Sequence, residues 1–284
     1  MFRVPATWLA VVLISSSTPA KGPKSAKVLP VSSPPQQLSP NDSSPHDSAD
    51  ERALLELANQ ARAQSGVPPL QLDDGLTQAA RAHAATMAAQ QQLSHQFAGE
   101  PSLGQRLAAN CTLHLDRAGE NVSYAGSVDQ AEENLMHSPP HRENLLNPAY
   151  NVAGFAVVRN GDSLYVVQDF GHSLPAYSPR QASDIVSGSV ARARRDANLL
   201  QLRWIDNGTA PAAACAMAKS DSLNAPAQPG RHILRYTTMQ PELLPDAAIM
   251  AIEDRAAQGF TVATCYASTS TYPNGVYWVD LILY

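Results

Sequence analysis

The periodicity of the apolar residues changes along this chain, and that change restricts the folds open to it. Leu54, Leu57, Ala58 and Ala61 repeat on one helical face, and Leu76, Ala80, His83 and Met87 make a second stripe. Ser48 followed by Glu51 matches a capping box before the first helix, and Gly66 with Pro68-Pro69 stops it. A further helix is expected from Val128 to Met136. The pattern then switches to period two. Val152 to Arg159 and Leu164 to Phe170 flank Asn160-Gly161-Asp162-Ser163, a hairpin signal because Asn and Gly tolerate positive φ. Helices followed by an antiparallel hairpin predict an α+β sandwich.

The 284 residues allow one large or two modest domains. Arg3, the apolar run Trp8 to Ile14 and Thr18-Pro19-Ala20 read as a secretory signal over 1–20, so the chain is expected to be secreted or periplasmic. That run is too short to span a bilayer, no later stretch is long enough, and no transmembrane anchor is expected. Residues 21–48 are dense in Pro and Ser and are expected to form a disordered tether. Net charge is −5 without a long basic run, which argues against a nucleic-acid partner. Arg192, Arg194 and Arg195 read as the exposed basic face of a helix. Three cysteines are too few for a disulfide scaffold. In an exported chain Cys215 and Cys265, both in the C-terminal half, are the expected pair, and Cys111 is the odd thiol.

Four strings carry the chemistry: Leu93-Ser94-His95, Gly119-Glu120-Asn121-Val122, the run from His137-Ser138-Pro139-Pro140-His141-Arg142 to Asn144 and Pro148, and Gln168-Asp169-Phe170-Gly171. In this order they resemble the CAP family (cysteine-rich secretory, antigen 5 and pathogenesis-related-1 proteins, the SCP domain), in particular its bacterial secreted branch. The resemblance covers about Glu51 to His172. It implies an α-β-α sandwich over 49–172, with His95, Glu120 and His141 converging at the floor of a cleft.

Two neutral imidazoles and a carboxylate make a three-ligand set that leaves a position open for water, so zinc or another divalent metal is the implied cofactor. The same residues also suit a proton shuttle without metal, or a buried hydrogen-bonded network that organises the core. Asn121, Ser138, Arg142, Asn144 and Gln168 are the expected supporting residues, with Arg142 pairing a carboxylate and Asn144 bonding backbone. Strand alternation turns Gln168 away from the side taken by Tyr165, Val167 and Asp169. His83 reads as a hydrogen-bonded core residue, and His137 as a surface histidine with an additional ligand as the alternative. Three positions depart from the family pattern. Ser138 stands where many eukaryotic members carry a second glutamate, Leu135 where bacterial members usually have Trp, and Pro140 where they usually have Gly. Pro140 should stiffen the loop presenting His141.

Residues 178–284 are expected to be a smaller α+β region, with strands at Leu199–Asp206, Ile233–Thr237, Phe260–Ser268 and Val276–Leu283 and a helix over Pro245–Gln258. Ala61-Arg62-Ala63 and Leu70-Gln71-Leu72 are echoed by Ala191-Arg192-Ala193 and Leu200-Gln201-Leu202. Ala82-His83-Ala84 is echoed by Ala214-Cys215-Ala216, and Tyr165-Val166-Val167 by Tyr277-Trp278-Val279. These echoes leave open a degenerate second CAP-like copy or an unrelated module. In the former, His232 falls opposite Glu120 and Glu253 opposite His141.

Two classes of function follow, and a purely structural envelope protein, with the tether setting its reach, is a third. The resemblance implies a binding module for a lipid, another small hydrophobic ligand, or an extracellular or envelope component. The alternative is a metal-dependent hydrolase using water activated at His95, Glu120 and His141, since no Gly-x-Ser-x-Gly motif supplies a nucleophile. Whether the chain is an enzyme stays open at this point.

Overall fold

The computed structural model describes Val12–Leu13 and residues 48–284. The expected signal segment and tether lie outside the described residues, apart from the short strand β1 (Val12–Leu13) and Ser48.

The N-terminal sheet is built from β2 (Gln71–Leu72), β3 (His114–Ala125), β4 (Val152–Asn160) and β5 (Ser163–Leu174), in the order β2-β4-β5-β3. β2 runs parallel to β4, and the other pairs are antiparallel. The β4–β5 hairpin closes between Asn160 and Ser163 with Gly161 at φ 62°, as the Asn-Gly signal requires. On one face α1 (Ser48–Gln64) and α4 (Val128–His137) pack against Phe155, Val157, Val166 and Phe170, and α5 (Pro139–Leu145) adds Leu145. On the other face α2 (Asp74–Gln90) buries Ala80, Ala84 and Met87 against Val122, Ala156 and Val167. The layers are helix, sheet and helix. Asp73 caps α2 by accepting from the Leu76 N–H. β4 passes so close beneath this first turn that a Cβ on Gly154 would overlap the Leu76–Thr77 peptide.

α3 (Leu103–Asn110) was not expected. It is short, and its apolar contribution is mainly Leu103 and Leu107, too little for a periodic signal. A capping box between Ser102 and Gln105 starts it. The segment presenting His141 is helix α5 rather than a loop. Its first turn holds Pro139 and Pro140, where a missing N–H costs nothing and a fixed φ favours the helix.

The second sheet joins β6 (Arg203–Trp204), β7 (His232–Thr238), β8 (Gly259–Ala267) and β9 (Val276–Leu283) in the order β1-β7-β9-β8-β6. Apart from β1, its order and strand directions match the first sheet: β6 runs parallel to β8, and the rest are antiparallel. α6 (Pro179–Asp196) and α8 (Asp246–Ile252) cover one face, and α7 (Ala210–Ser220) the other. The disulfide Cys215–Cys265 ties α7 to β8, and Cys111 is free. Burial pushes the Cys111 thiol up to about 11, which leaves it inert.

Two buried arginines play the same part in the two halves. Arg62 donates to the carbonyls of Pro68, Leu145, Asn147 and Tyr150, and Arg194 to those of Leu200, Ile252 and Asp254. Arg194 is therefore a core residue, not part of an exposed basic face. It occupies the carbonyls that follow α8, which ends that helix at Ile252, short of the expected Gln258. The strand expected at Leu199–Asp206 shrinks to Arg203–Trp204, because Leu200 turns back to serve Arg194.

Candidate site at the edge of strand β3

β3 is an edge strand, so its alternating side chains reach around the sheet to both helical layers. Glu120 turns to the α2–α3 side and Asn121 to the α4–α5 side. A Cβ on the preceding Gly119 would overlap the Tyr150 hydroxyl, so glycine allows that ring to lie against the strand.

On the first side, Glu120 Oε1 lies 2.9 Å from His95 Nδ1, and its Oε2 accepts from Arg106 Nη2. Arg106 also donates to Pro101 O at 3.1 Å and lies 3.7 Å from Glu100. Glu100 bonds His83 Nδ1 at 2.7 Å, and His83 Nε2 meets Ser94 O at 2.8 Å. His83 is fully buried, as a core histidine should be. Its two bonds hold the segment that carries His95. Asp169 sits directly across the β3–β5 ladder from Glu120, fully buried, and among the described residues neither oxygen accepts a hydrogen bond. Burial first, and then the Glu120 charge, push its carboxyl well above the usual range.

On the second side, amides run in sequence. Asn144 Nδ2 donates to Glu120 O and Asn121 Oδ1, Asn121 Nδ2 to His141 O and Gln168 Oε1, and Gln168 Nε2 to Glu132. Burial raises the Glu132 carboxyl to about 7, partly opposed by the Gln168 bond. His141 Nδ1 lies 2.9 Å from Ser138 Oγ. Burial, and then the neighbouring His95, lower the His141 pKa, so its neutral form is favoured.

The two imidazoles meet past the edge of β3, with ring centroids 6.2 Å apart. The His95 side chain is 40% exposed, so this end of the network opens to solvent. The fold thus brings His95, Glu120 and His141 together, with Asn121, Ser138, Asn144 and Gln168 behind them. It does not bring in His137, which is exposed and bonded to Glu133 O. Arg142 is also exposed, and among the described residues it forms no ion pair, contrary to the carboxylate partner expected for it. Arg106, Glu100, Asp169 and Glu132 were missed as site residues. Only Asp169 had a signal, as a member of the Gln168-Asp169-Phe170-Gly171 string. A hollow of about 530 Å³ between α4 and α5 is lined by Met136, His137, Pro139, Arg142, Leu146 and Pro148 and by none of His95, Glu120 and His141. Among the described residues no three His, Cys, Asp or Glu side chains are grouped as a metal-ligand set.

A profile of the cysteine-rich secretory protein family, CAP, matches residues 55–170, the span holding every one of these groups from His83 to Asp169. Those residues belong to the CAP family. YkwD of Bacillus subtilis, an uncharacterised protein, is 31% identical over 127 residues, covering 44% of this chain and 48% of that protein. YlbC, an uncharacterised membrane protein of the same species, is 33% identical over 124 residues, covering 42% and 34%. The chain therefore spans half or less of these relatives. An extracellular SCP-domain protein of Bacillus anthracis is 24% identical in its crystal structure, with a TM-score of 0.40, covering 49% of this chain and 45% of that one. Among the described residues no helix is long and apolar enough to cross a membrane.

Proposed function

We propose that the CAP domain is an exported binding module. Its recognition surface includes the His95–His141 pair, and it takes a small hydrophobic ligand or an extracellular partner. The observation that carries this reading is the state of Glu120. Both its oxygens are occupied, one by His95 Nδ1 and one by Arg106, so the carboxylate orients an imidazole instead of facing the solvent. A divalent ion suits this donor set as a guest of two imidazoles, His95 and His141, and such an ion would supply Lewis-acid character there. Glu120 is then the orienting partner of His95, in place of the direct ligand the resemblance implied. Two protein ligands give modest affinity, which suits reversible recognition.

The hydrolase reading keeps one observation in its favour. A carboxylate held against an imidazole is the pairing that prepares a general base. Calorimetric titration of the full chain with zinc, beside His95→Ala and His141→Ala, tests the binding reading. Saturable 1:1 binding abolished in both variants supports it, and undiminished binding in either overturns the two-imidazole site. Turnover of nitrophenyl esters that disappears in Glu120→Gln and His95→Ala would replace the binding reading with the hydrolase one.

A further inference from the structure

We infer that Glu132 is a positioning residue for this site, acting from α4 through the amide chain to hold the main chain of Glu120 and His141. The inference rests on the proposed role of the His95–Glu120–His141 site, and its geometry stands independently of any ligand.

The polarity of the chain is set at one end. The carbonyl oxygens of Glu120 and His141 can only accept, so the Asn144 and Asn121 amino groups must point at them. With its amino group so placed, Asn121 turns Oδ1 towards the Asn144 amino group, and its Nδ2 also serves Gln168 Oε1. The Gln168 carbonyl is then committed to Asn121, which leaves its amino group aimed at α4. Glu132 is the acceptor waiting there, at 2.7 Å. Every amide in the run must keep this orientation, and reversing one would set carbonyl against carbonyl or leave a donor unmet. Asn121 and Gln168 are both fully buried, so water cannot substitute for a lost partner.

The chain also spans the cleft. It begins at the carbonyl of the residue that orients His95 and includes the carbonyl of His141 itself. Removing the terminal acceptor leaves the Gln168 amino group buried without a partner. The lowest-cost remedy is rotation of Gln168, and that rotation propagates to Asn121 and from there to both carbonyls.

The residue chemistry makes the idea testable. Glu132→Met fills the same space without an acceptor, Glu132→Gln restores an acceptor oxygen, and Gln168→Met cuts the chain one link nearer the site. Side-chain amide resonances of Asn121, Asn144 and Gln168, recorded on the full chain, read the chain directly. Imidazole resonances of His95 and His141 during a zinc titration read the site. Glu132→Met and Gln168→Met should each displace the Asn121 and Asn144 amide signals and weaken zinc binding about tenfold or more, with Glu132→Gln close to the native chain. Leu135→Ala, on the same helix but outside the chain, should lower stability without moving those signals.

Native amide signals in Glu132→Met would overturn the inference, as would equal displacement in Glu132→Met and Glu132→Gln. Zinc that reaches the imidazoles equally well in all variants would overturn it while leaving the binding reading intact. Absence of any imidazole response in the native chain, with the amide signals displaced as expected, would instead sink the binding reading and keep the chain.

Discussion

The two sheets share an order and strand directions, yet they use their centres differently. Their β ladders can be matched from the parallel pairs, Leu72 beside Ala153 and Trp204 beside Phe260. On that match the Glu120–Asp169 rung corresponds to Ile233–Ile282, and Asn121–Gln168 to Leu234–Leu281. All four polar positions of these two rungs become aliphatic in the second half. That half does bury charge of its own, the Arg235–Asp280 pair one rung further along. Asp280 accepts from Arg235 at 3.1 Å and Gln228 at 2.5 Å, and Arg235 donates to the carbonyls of Ala225 and Pro226. A buried ion pair closed on itself in this way is scaffold. The N-terminal cluster has an open end at His95, and among the described residues neither Asp169 oxygen accepts a hydrogen bond. An unclosed polar network on an otherwise repeated scaffold is where function is expected.

The largest test of the comparison removes what the halves share. Arg62→Met and Arg194→Met each orphan a set of buried carbonyls, and each should cost about 3 kcal/mol or more in denaturant unfolding. Costs alike in size support one construction used twice, and a cost confined to one half would break the parallel. Breaking Cys215–Cys265, whose cysteines are 50 residues apart, should destabilise the C-terminal half by about 3 kcal/mol. The amide resonances around Glu120 should stay in place. Glu120→Gln should cost about 2–3 kcal/mol by weakening the buried Arg106 pairing, against about 1 kcal/mol for Ile233→Val at the matching rung. Equal costs would mean that the polar cluster is worth no more than packing.

A smaller effect reads out in pH. Folding raises the Glu132 pKa to about 7 from its ordinary value of about 4.5. The folded chain therefore keeps a proton that the unfolded chain releases above about 4.5. This contribution to stability is complete below that pH, is lost as pH rises through about 7, and is flat beyond. Among the charged groups on the elements packed against α4, Glu51 on α1 pairs with Arg81, Arg62 holds carbonyls, Glu120 on β3 bonds His95 and Arg106, and His141 on α5 bonds Ser138, while Arg142 on α5 is exposed. Asp169, whose carboxyl is also raised, adds a fall of the same sign, so Glu132→Gln should reduce the slope without abolishing it in unfolding measured from pH 5 to 8. The smallest effect belongs to Arg142→Ala, within about 0.5 kcal/mol, because the side chain is exposed and, among the described residues, forms no ion pair.

Much of the site could be read from residues alone because its members sit in short strings with distinctive chemistry. His95, Glu120 and His141 stand out as chemistry in those strings, while their convergence is what the CAP resemblance implies; the hairpin and the Cys215–Cys265 pair are read from the residues. The echoes between the halves were read less well. Arg62 was matched with Arg192, but the residue making its hydrogen bonds in the second half is Arg194. His83 was matched with Cys215, yet both helices end in a left-handed cap, at Gln91 and Asp221, which sets His83 against Ala213. Tyr165 was matched with Tyr277, which packs with α6 and α8, while Tyr165 packs with α2. His232 and Glu253 accordingly do not stand opposite Glu120 and His141. His232 pairs with Asp254 instead. Alanine-rich helices align at several offsets, and a slip of one residue in a strand turns each side chain to the other face.

By itself, the order of residues determined the helical stripes, the hairpin turn and the chemistry available at His95, Glu120 and His141. These depend on local conformational preference and on side-chain type, which travel with the chain. Tertiary structure decided the rest. It placed Asp169 under Glu120, brought Arg106 in on a helix too short to announce itself, and ended the amide chain at Glu132. Each of these joins residues distant in sequence, and the need to satisfy every buried polar group selected them only once the sheet and its two helical layers had closed.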